Sequence, residues 1–186
     1  IYKTCNLEYP TSLVDTIELE GIISKIQPDP EIRSFLLRVL STALEGKTFQ
    51  HIVIFNGIGG NGKSILNLIM KGALGDYYYT LPAHAVIGRS RSGPDVQVTK
   101  MSLARYTVAS ECESSSLPLN SSFLKLVTGG NEINSRTIYS TKCSTKICPT
   151  LVLETNNKPD LPSFNQQIDH GLIRRLLQIN FPSRFE

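Results

Sequence analysis

The chain has 186 residues, of which 40% are hydrophobic and 19% charged, with a formal net charge of +3. Such a length holds one α/β domain with a substantial core, and the composition is ordinary for a globular protein. No apolar run approaches a membrane span and no signal-peptide pattern opens the chain, so no membrane role is expected. The mild positive charge permits a nucleic-acid partner without arguing for one.

The first residue is Ile, which reads as a fragment of a longer protein. Cys5, Cys112, Cys143 and Cys148 form no C-x-x-C pair and do not cluster with His51, His84 or His170. That pattern argues against zinc and for free thiols in a reducing compartment.

Residues 1–48 read as a helical lead-in. The stretch to about Gln27 has no clean periodicity. After it, Asp29 suits an N-cap, Pro30 the first helical position and Glu31 the first turn. Ile32, Phe35, Leu36, Val39, Leu40 and Ala43 share one face at helical spacing, and Gly46 suits the C-terminal stop.

A short apolar run, His51 to Phe55, leads into GIGGNGKS, residues 57–64, and an apolar-rich stretch follows it. The octapeptide fits G-x-x-x-x-G-K-[ST], and strand, glycine loop and helix are the context that a phosphate-binding P-loop needs. Gly57, Gly59, Gly60 and Gly62 let the backbone curl so that N–H groups point at phosphate oxygens. Ile58, Asn61 and Ile65 complete the expected binding stretch. The helix beginning near Gly62 adds its positive end, Lys63 reaches the β- and γ-phosphates, and the Ser64 hydroxyl ligates Mg²⁺.

Beyond the P-loop, residues 75–82 read as a short strand ending at Pro82, and residues 84–95 as a mobile loop whose Arg89 and Arg91 could meet phosphates, a solvated loop being the favoured account. The apolar run YTVAS ends at Glu111, where an acid would hold Mg²⁺ or orient water, with Glu113 two residues on. A polar loop and a short helix, SFLKLV, follow. TGGNEINSR reads as turn-rich and RTIYSTKCSTKICPT as a β-hairpin. LVLET is a strand that delivers Asn156, whose amide can donate to a γ-phosphate or to water. Arg174 and Arg175 precede a last strand, LLQINF. The βα alternation implies a parallel sheet covered on both faces.

The ordered set GIGGNGKS, ASE, KLVTGGNEINSR, ETNNKP and RRLLQINF resembles the superfamily 3 helicases, in particular the pox-type helicase–primases of large DNA viruses and related phage and plasmid primases. The resemblance covers about residues 30–186. It implies a three-layer α/β P-loop NTPase (AAA+) domain over residues 49–186, with a mainly parallel central sheet and a β-hairpin insertion. It further implies ATP and Mg²⁺ as cofactors, single-stranded DNA as partner, a homo-hexameric ring, and a primase domain or other replication proteins nearby. Its setting would be a viral replication site in host cytoplasm or nucleus.

Carried over by position, Lys63 and Ser64 become the Walker A pair, Glu111 the Walker B acid that shares the metal with Ser64, and Asn156 the sensor. Arg175, in preference to Arg174, becomes an arginine finger. The segment from Lys125 to Lys146 matches the motif that leads into a DNA-contacting hairpin, with Arg136, Lys142 and Lys146 suited to backbone phosphates. Two positions depart from the family pattern. Asn131 stands where Asp is usual, and the Walker B strand ends in Ala-Ser-Glu without adjacent acids. The metal-holding and water-activating roles therefore stay open between Glu111 and Glu113. A P-loop phosphotransferase, or a nucleotide-dependent assembly module without unwinding, would share the same P-loop.

Overall fold

The structure is a computed structural model that describes residues 3–8, 10–12, 14–88, 96–110, 112, 118–130, 132–135, 143–157, 163–164 and 167–185. In chain order the elements are α1 (Ile17–Ile26), α2 (Pro30–Glu45), β1 (Ile52–Asn56), α3 (Lys63–Leu74), β2 (Tyr78–Thr80), α4 (Ala83–Val86), α5 (Val96–Met101) and β3 (Tyr106–Ala109). They continue with α6 (Ser121–Thr128), β4 (Glu132–Ser135), β5 (Cys143–Lys146), β6 (Thr150–Thr155), β7 (Ser163–Phe164), β8 (Gln167–Ile168), α7 (His170–Ile173) and β9 (Leu176–Asn180).

The core is a five-stranded sheet in the order β2-β3-β6-β1-β9, with every neighbouring pair parallel. Ile52, Val53, Ile54 and Phe55 on β1, and Leu151, Val152 and Leu153 on β6, are almost wholly buried, as continuous apolar runs must be when both sheet faces are covered. Val53, Phe55, Tyr106, Val108, Val152 and Ile179 pack against α2 and α3. On the opposite face, Ile52, Ala109, Leu151 and Leu153 pack with side chains from α4, α5, α6 and α7. The result is the expected three-layer α/β sandwich.

Helix α2 forms for the reasons legible in its sequence. The Asp29 carboxylate accepts from the N–H groups of Glu31 and Ile32 at 2.8 and 3.1 Å, and Gly46 ends the helix at φ 61°. Its Leu36, Val39, Leu40 and Ala43 are buried against the sheet. The Leu and Val side chains each contribute about 1.5–3 kcal/mol on burial.

Two expectations are corrected, and one helix is added. Residues 84–95 are not loop from their start. Ala83–Val86 form a helical turn with Val86 fully buried, and Ile87 bridges Leu119. Arg89 and Arg91 lie outside the described residues. Helix α5 had no sequence expectation; it is one and a half turns long, and burial of Val98 and Met101 holds it. The hairpin begins earlier than its alternation suggested. Its first strand is β4, within the stretch read as turn, and it pairs antiparallel with β5 in the register Glu132↔Lys146. The glycines of TGGN end α6 instead: Gly129 is its C-cap and Gly130 has φ 73°. Pairing with β5, distant in sequence, is what makes EINS a strand. Arg136 and Lys142 lie outside the described residues.

Below the sheet, α6 and α7 are latched by Asp169. Its carboxylate caps α7 through Leu172 N–H at 3.1 Å, accepts from Lys125 Nζ at 2.8 Å and accepts from the Ser121 hydroxyl. Hydrogen bonds from Lys125 and then Ser121 hold its pKa at about 2, below the ordinary 3.8. A carboxyl lowered in the folded state stabilises fully above its unfolded value and loses that contribution as pH falls through the folded one. The stability it supplies is therefore expected to be complete above pH 3.8 and to drain toward pH 2. Asp169→Asn should be less stable than the parent at pH 6, and the gap should narrow steadily over that acid window. Urea unfolding followed by circular dichroism checks this; a gap independent of pH refutes it.

Candidate phosphate-binding site

The parallel register sets the site. Phe55 stands beside Glu154, Asn56 beside Thr155 and Asn180, and Ala109 beside Leu153, so β3, β6, β1 and β9 end at one edge of the sheet. Ligands of open parallel sheets bind outside the carboxyl ends of their strands. The residues just past those ends here are Ser110, Asn156, Gly57 and Phe181.

From β1 the chain turns through the glycine loop into α3, whose N-cap is Gly62. Gly62 has φ 89°, and a Cβ there would stand 2.6 Å from Ile26 Cγ1, so both conformation and space require glycine. A Cβ at Gly57 would stand 2.2 Å from Asn61 Nδ2 and 2.8 Å from the Phe181 carbonyl. Close packing of the loop on its surroundings thus accounts for two of its four glycines.

Lys63 is 6% exposed. Its ammonium donates to the Gly57 carbonyl, to Asn61 Oδ1 at 3.1 Å and to Asn156 Oδ1 at 3.5 Å, the last at the outer limit of a hydrogen bond. The P-loop lysine and the strand-end asparagine, 93 residues apart in sequence, therefore meet.

They line a cavity of about 590 Å³ together with Gly59, Gly60, Asn61, Gly62, Ser64, Ile65, Ser110, Glu154 and Thr155. That volume lies within the ordinary range for small-ligand sites. Its remaining wall comes from Ile22, Lys25 and Ile26 of α1 and from Phe185. The terminal segment reaches it because Phe185 N–H donates to the Gly60 carbonyl at 2.7 Å and Ser183 Oγ donates to the Lys25 carbonyl at 2.6 Å. Loop N–H groups, the Lys63 ammonium and the Ser64 hydroxyl form a donor set for a polyphosphate and its cation. The apolar side chains of α1 and Phe185 offer a surface for a planar base. The residues present thus fit a magnesium nucleotide.

The other expected site residues divide. Ile58 lies at the loop tip, 83% exposed. Glu111 and Glu113 lie outside the described residues, as does Asn131. Lys146 ends β5 in register with Glu132, away from the cavity-lining set. Arg174 is exposed at the end of α7. Arg175 is engaged within the chain: its guanidinium donates to the Lys125 carbonyl at 3.2 Å and to Thr128 Oγ1 at 2.8 Å. The Arg175 carbonyl accepts from Ile52 N–H at the start of β1, so both arginines sit at the strand-start edge. At about 3.3 Å per residue, β1 separates them from Gly57 by about 16 Å.

Sequence reasoning passed over Glu154, Ser110 and Asn67. Glu154 is 8% exposed and accepts from Asn67 Nδ2 at 2.7 Å and from the Ser110 hydroxyl. Asn67 in turn accepts from the Tyr106 hydroxyl at 2.8 Å. Burial first, then Tyr78 and the Glu154 charge, push the Tyr106 phenol well above its usual range. The available signal was an acid set inside an apolar strand, LVLET. The cavity wall from α1 and Phe185 carried no local signal, because it is assembled from opposite ends of the chain.

No protein-family model matches the chain. A putative helicase of Acanthamoeba polyphaga mimivirus is 31% identical over 170 residues, covering 90% of this chain and 17% of that protein. Primase D5 of Fowlpox virus (strain NVSL) is 27% identical over 178 residues, 91% of this chain and 22% of the relative. Uncoating factor OPG117 of Vaccinia virus (strain Western Reserve) is 28% identical over 176 residues, with 90% and 22% covered. The chain thus spans about a fifth of the length of the curated relatives it matches. Among solved structures, the apo C-terminal region of NrS-1 (residues 305–718) matches with a TM-score of 0.66 at 14% identity, covering 96% of this chain and 41% of that one. JCV helicase matches with a TM-score of 0.52 at 14% identity, covering 90% and 45%. In sequence and in fold the chain resembles the superfamily 3 helicase domains of large DNA viruses, and it carries their three-layer P-loop NTPase architecture.

Proposed function

We propose that this domain is the ATP-driven motor of a viral or phage DNA helicase, hydrolysing ATP to move along single-stranded DNA and unwind duplex during replication. The observation that carries the reading is the convergence of Lys63 and Asn156 over a glycine loop at the strand ends, in a cavity of nucleotide size. Lys63 stabilises charge on the transferring phosphoryl group, and Asn156 orients a γ-phosphate or the attacking water without adding charge. Ser64 and Glu111 would hold Mg²⁺, which neutralises charge developing on the phosphate oxygens.

The arginines support a shared site. Both lie at the sheet edge opposite the P-loop of their own chain, too far to reach its phosphates. An arginine finger from this pair would therefore serve a neighbouring copy, which accords with a homo-hexameric ring. Against the expectation from sequence, Arg174 suits the role better than Arg175, because it is exposed while the Arg175 guanidinium is taken up by α6. Contacts to DNA are assigned to the β4–β5 hairpin through Arg136, Lys142 and Lys146, where backbone contacts would bind without reading sequence. In the whole protein, a primase domain or other replication proteins would share the task, at a viral replication site in host cytoplasm or nucleus.

Phosphate release from ATP, with and without single-stranded DNA, together with strand separation on the same sample, tests the reading. Lys63→Ala should lower hydrolysis about a hundredfold or more; turnover at the parent rate refutes the P-loop assignment. Label transferred to a small acceptor would instead indicate a phosphotransferase.

Arg174→Ala should bind nucleotide normally and lose hydrolysis, because a finger acts on the transition state more than on the ground state. Mixing it with Lys63→Ala should restore part of the activity through interfaces that retain both groups. Co-assembled mixtures that never recover would exclude a shared site. Arg175→Ala should act through stability instead, costing about 1–3 kcal/mol by removing the charge-assisted bonds to Thr128 Oγ1 and the Lys125 carbonyl.

A further inference from the structure

Glu154 is a buried carboxylate in the wall of the cavity, and neither Lys63 nor Asn156 accounts for it. It sits on β6 two residues before Asn156, on the face turned to α3. Its two oxygens each accept one neutral hydrogen bond, from Asn67 of α3 and from Ser110 just past β3. Among the described residues it forms no ion pair; the pairs present are Lys47–Glu45 and Lys125–Asp169.

An ionised carboxylate has about four acceptor positions. Two neutral donors fill half of them and fix the orientation of the group, but they do not offset the cost of taking a charge out of water. Removing that charge would be cheap for folding alone, since an amide has nearly the same shape. A buried carboxyl group that lines a ligand cavity and meets only neutral donors is one of the few convergent polar groups by which such cavities orient a ligand. The wall that holds it also holds Lys63 and Ser64. A divalent cation and its water shell would use the remaining acceptor positions.

The aiming device is itself built into the fold. Asn67 lies one helical turn after Lys63 on α3 and is held from behind by the fully buried Tyr106 hydroxyl at 2.8 Å. Ser110 continues the strand after Ala109. The carboxylate is thus tied to the phosphate-binding helix on one side and to the neighbouring strand end on the other.

We propose that Glu154 is a second acid of this site, which holds the divalent cation of the bound nucleotide through the cation's water shell, with Asn67 and Ser110 as positioning residues. The proposal rests on the nucleotide-site reading above. The Walker B strand lacks adjacent acids, and Glu154 supplies the missing charge from the next strand.

The test is Mn²⁺ binding, followed by electron paramagnetic resonance, to protein holding a non-hydrolysable ATP analogue. Binding of a fluorescent ATP analogue in EDTA is measured in parallel. Glu154→Gln should bind the analogue in EDTA like the parent and melt at the same or a higher temperature. Its Mn²⁺ affinity should fall about ten- to a hundredfold, the loss typical of removing an outer-shell partner. Unchanged Mn²⁺ affinity in that folded, analogue-binding variant overturns the proposal and leaves the nucleotide reading standing. Failure of the parent itself to bind the analogue overturns both. Should Glu154→Gln fail to fold, Glu154→Asp keeps the charge but withdraws it, and Mn²⁺ affinity is then expected to fall several-fold. No change in that variant also overturns the proposal.

Discussion

Parallel pairing of β1 with β6 on one side and β9 on the other is the constraint on which the rest depends. It brings four strand ends level, and Ser110, Glu154, Thr155 and Asn156 of the cavity lie at or just past such ends. The side-chain period of a strand is two, so a slip of one residue would exchange the faces of β6. Glu154 would then turn toward α6, and Leu153 would take its place against α3. The near-complete burial of Leu151, Val152 and Leu153 on alternating faces opposes that slip on both sides of the sheet. Register, core packing and site geometry are therefore one property.

The second requirement is closure by segments far apart in sequence. Helix α1 comes from the start of the chain and Phe185 from its end, yet both line the same cavity. Gln27 Nε2 donates to the Asn180 carbonyl at 2.9 Å and Ser183 Oγ donates to the Lys25 carbonyl, which joins α1 to the segment following β9. Phe185 then bonds the loop itself through Gly60. Close approach of Ile26 to Gly62 completes the contact, and it leaves no room for a side chain at that position. The first 48 residues thus carry part of the cavity wall and, through α2, part of the core beneath the sheet.

The sheet also has a polarity that divides its polar chemistry. At the strand-end edge lie Lys63, Ser64, Glu154 and Asn156. At the strand-start edge, Asp169, Lys125 and Ser121 form a closed group, and Arg175 ties the end of α6 to the start of β9. Within this second group the buried Arg175 Nε has no hydrogen-bond partner among the described residues. The adjacent Arg174 points its charge outward. Two neighbouring arginines of identical chemistry are thus divided by packing into one that holds the fold and one that is free to meet another surface.

Much of this was legible in the sequence alone. The P-loop, the strand before it and the helix after it are local, because glycine spacing, apolar runs and helix propensity act within a few residues. Helix α2 was likewise legible, since Asp29, Pro30 and Gly46 mark its ends by local hydrogen bonding and backbone preference. The ordered motifs were sufficient for a resemblance to superfamily 3 helicases, and the parallel sheet between two helical layers agrees with it. Tertiary structure decided what depends on pairing across long separations. It made EINS a strand, because its partner follows only after residues 136–142. It gave Arg174 and Arg175 different surroundings, which no local pattern distinguishes. It turned Glu154 from one polar letter in an apolar strand into a buried acid held by Asn67, 87 residues away. Local sequence encodes which element forms; which side chains meet depends on the register and layering of the whole sheet.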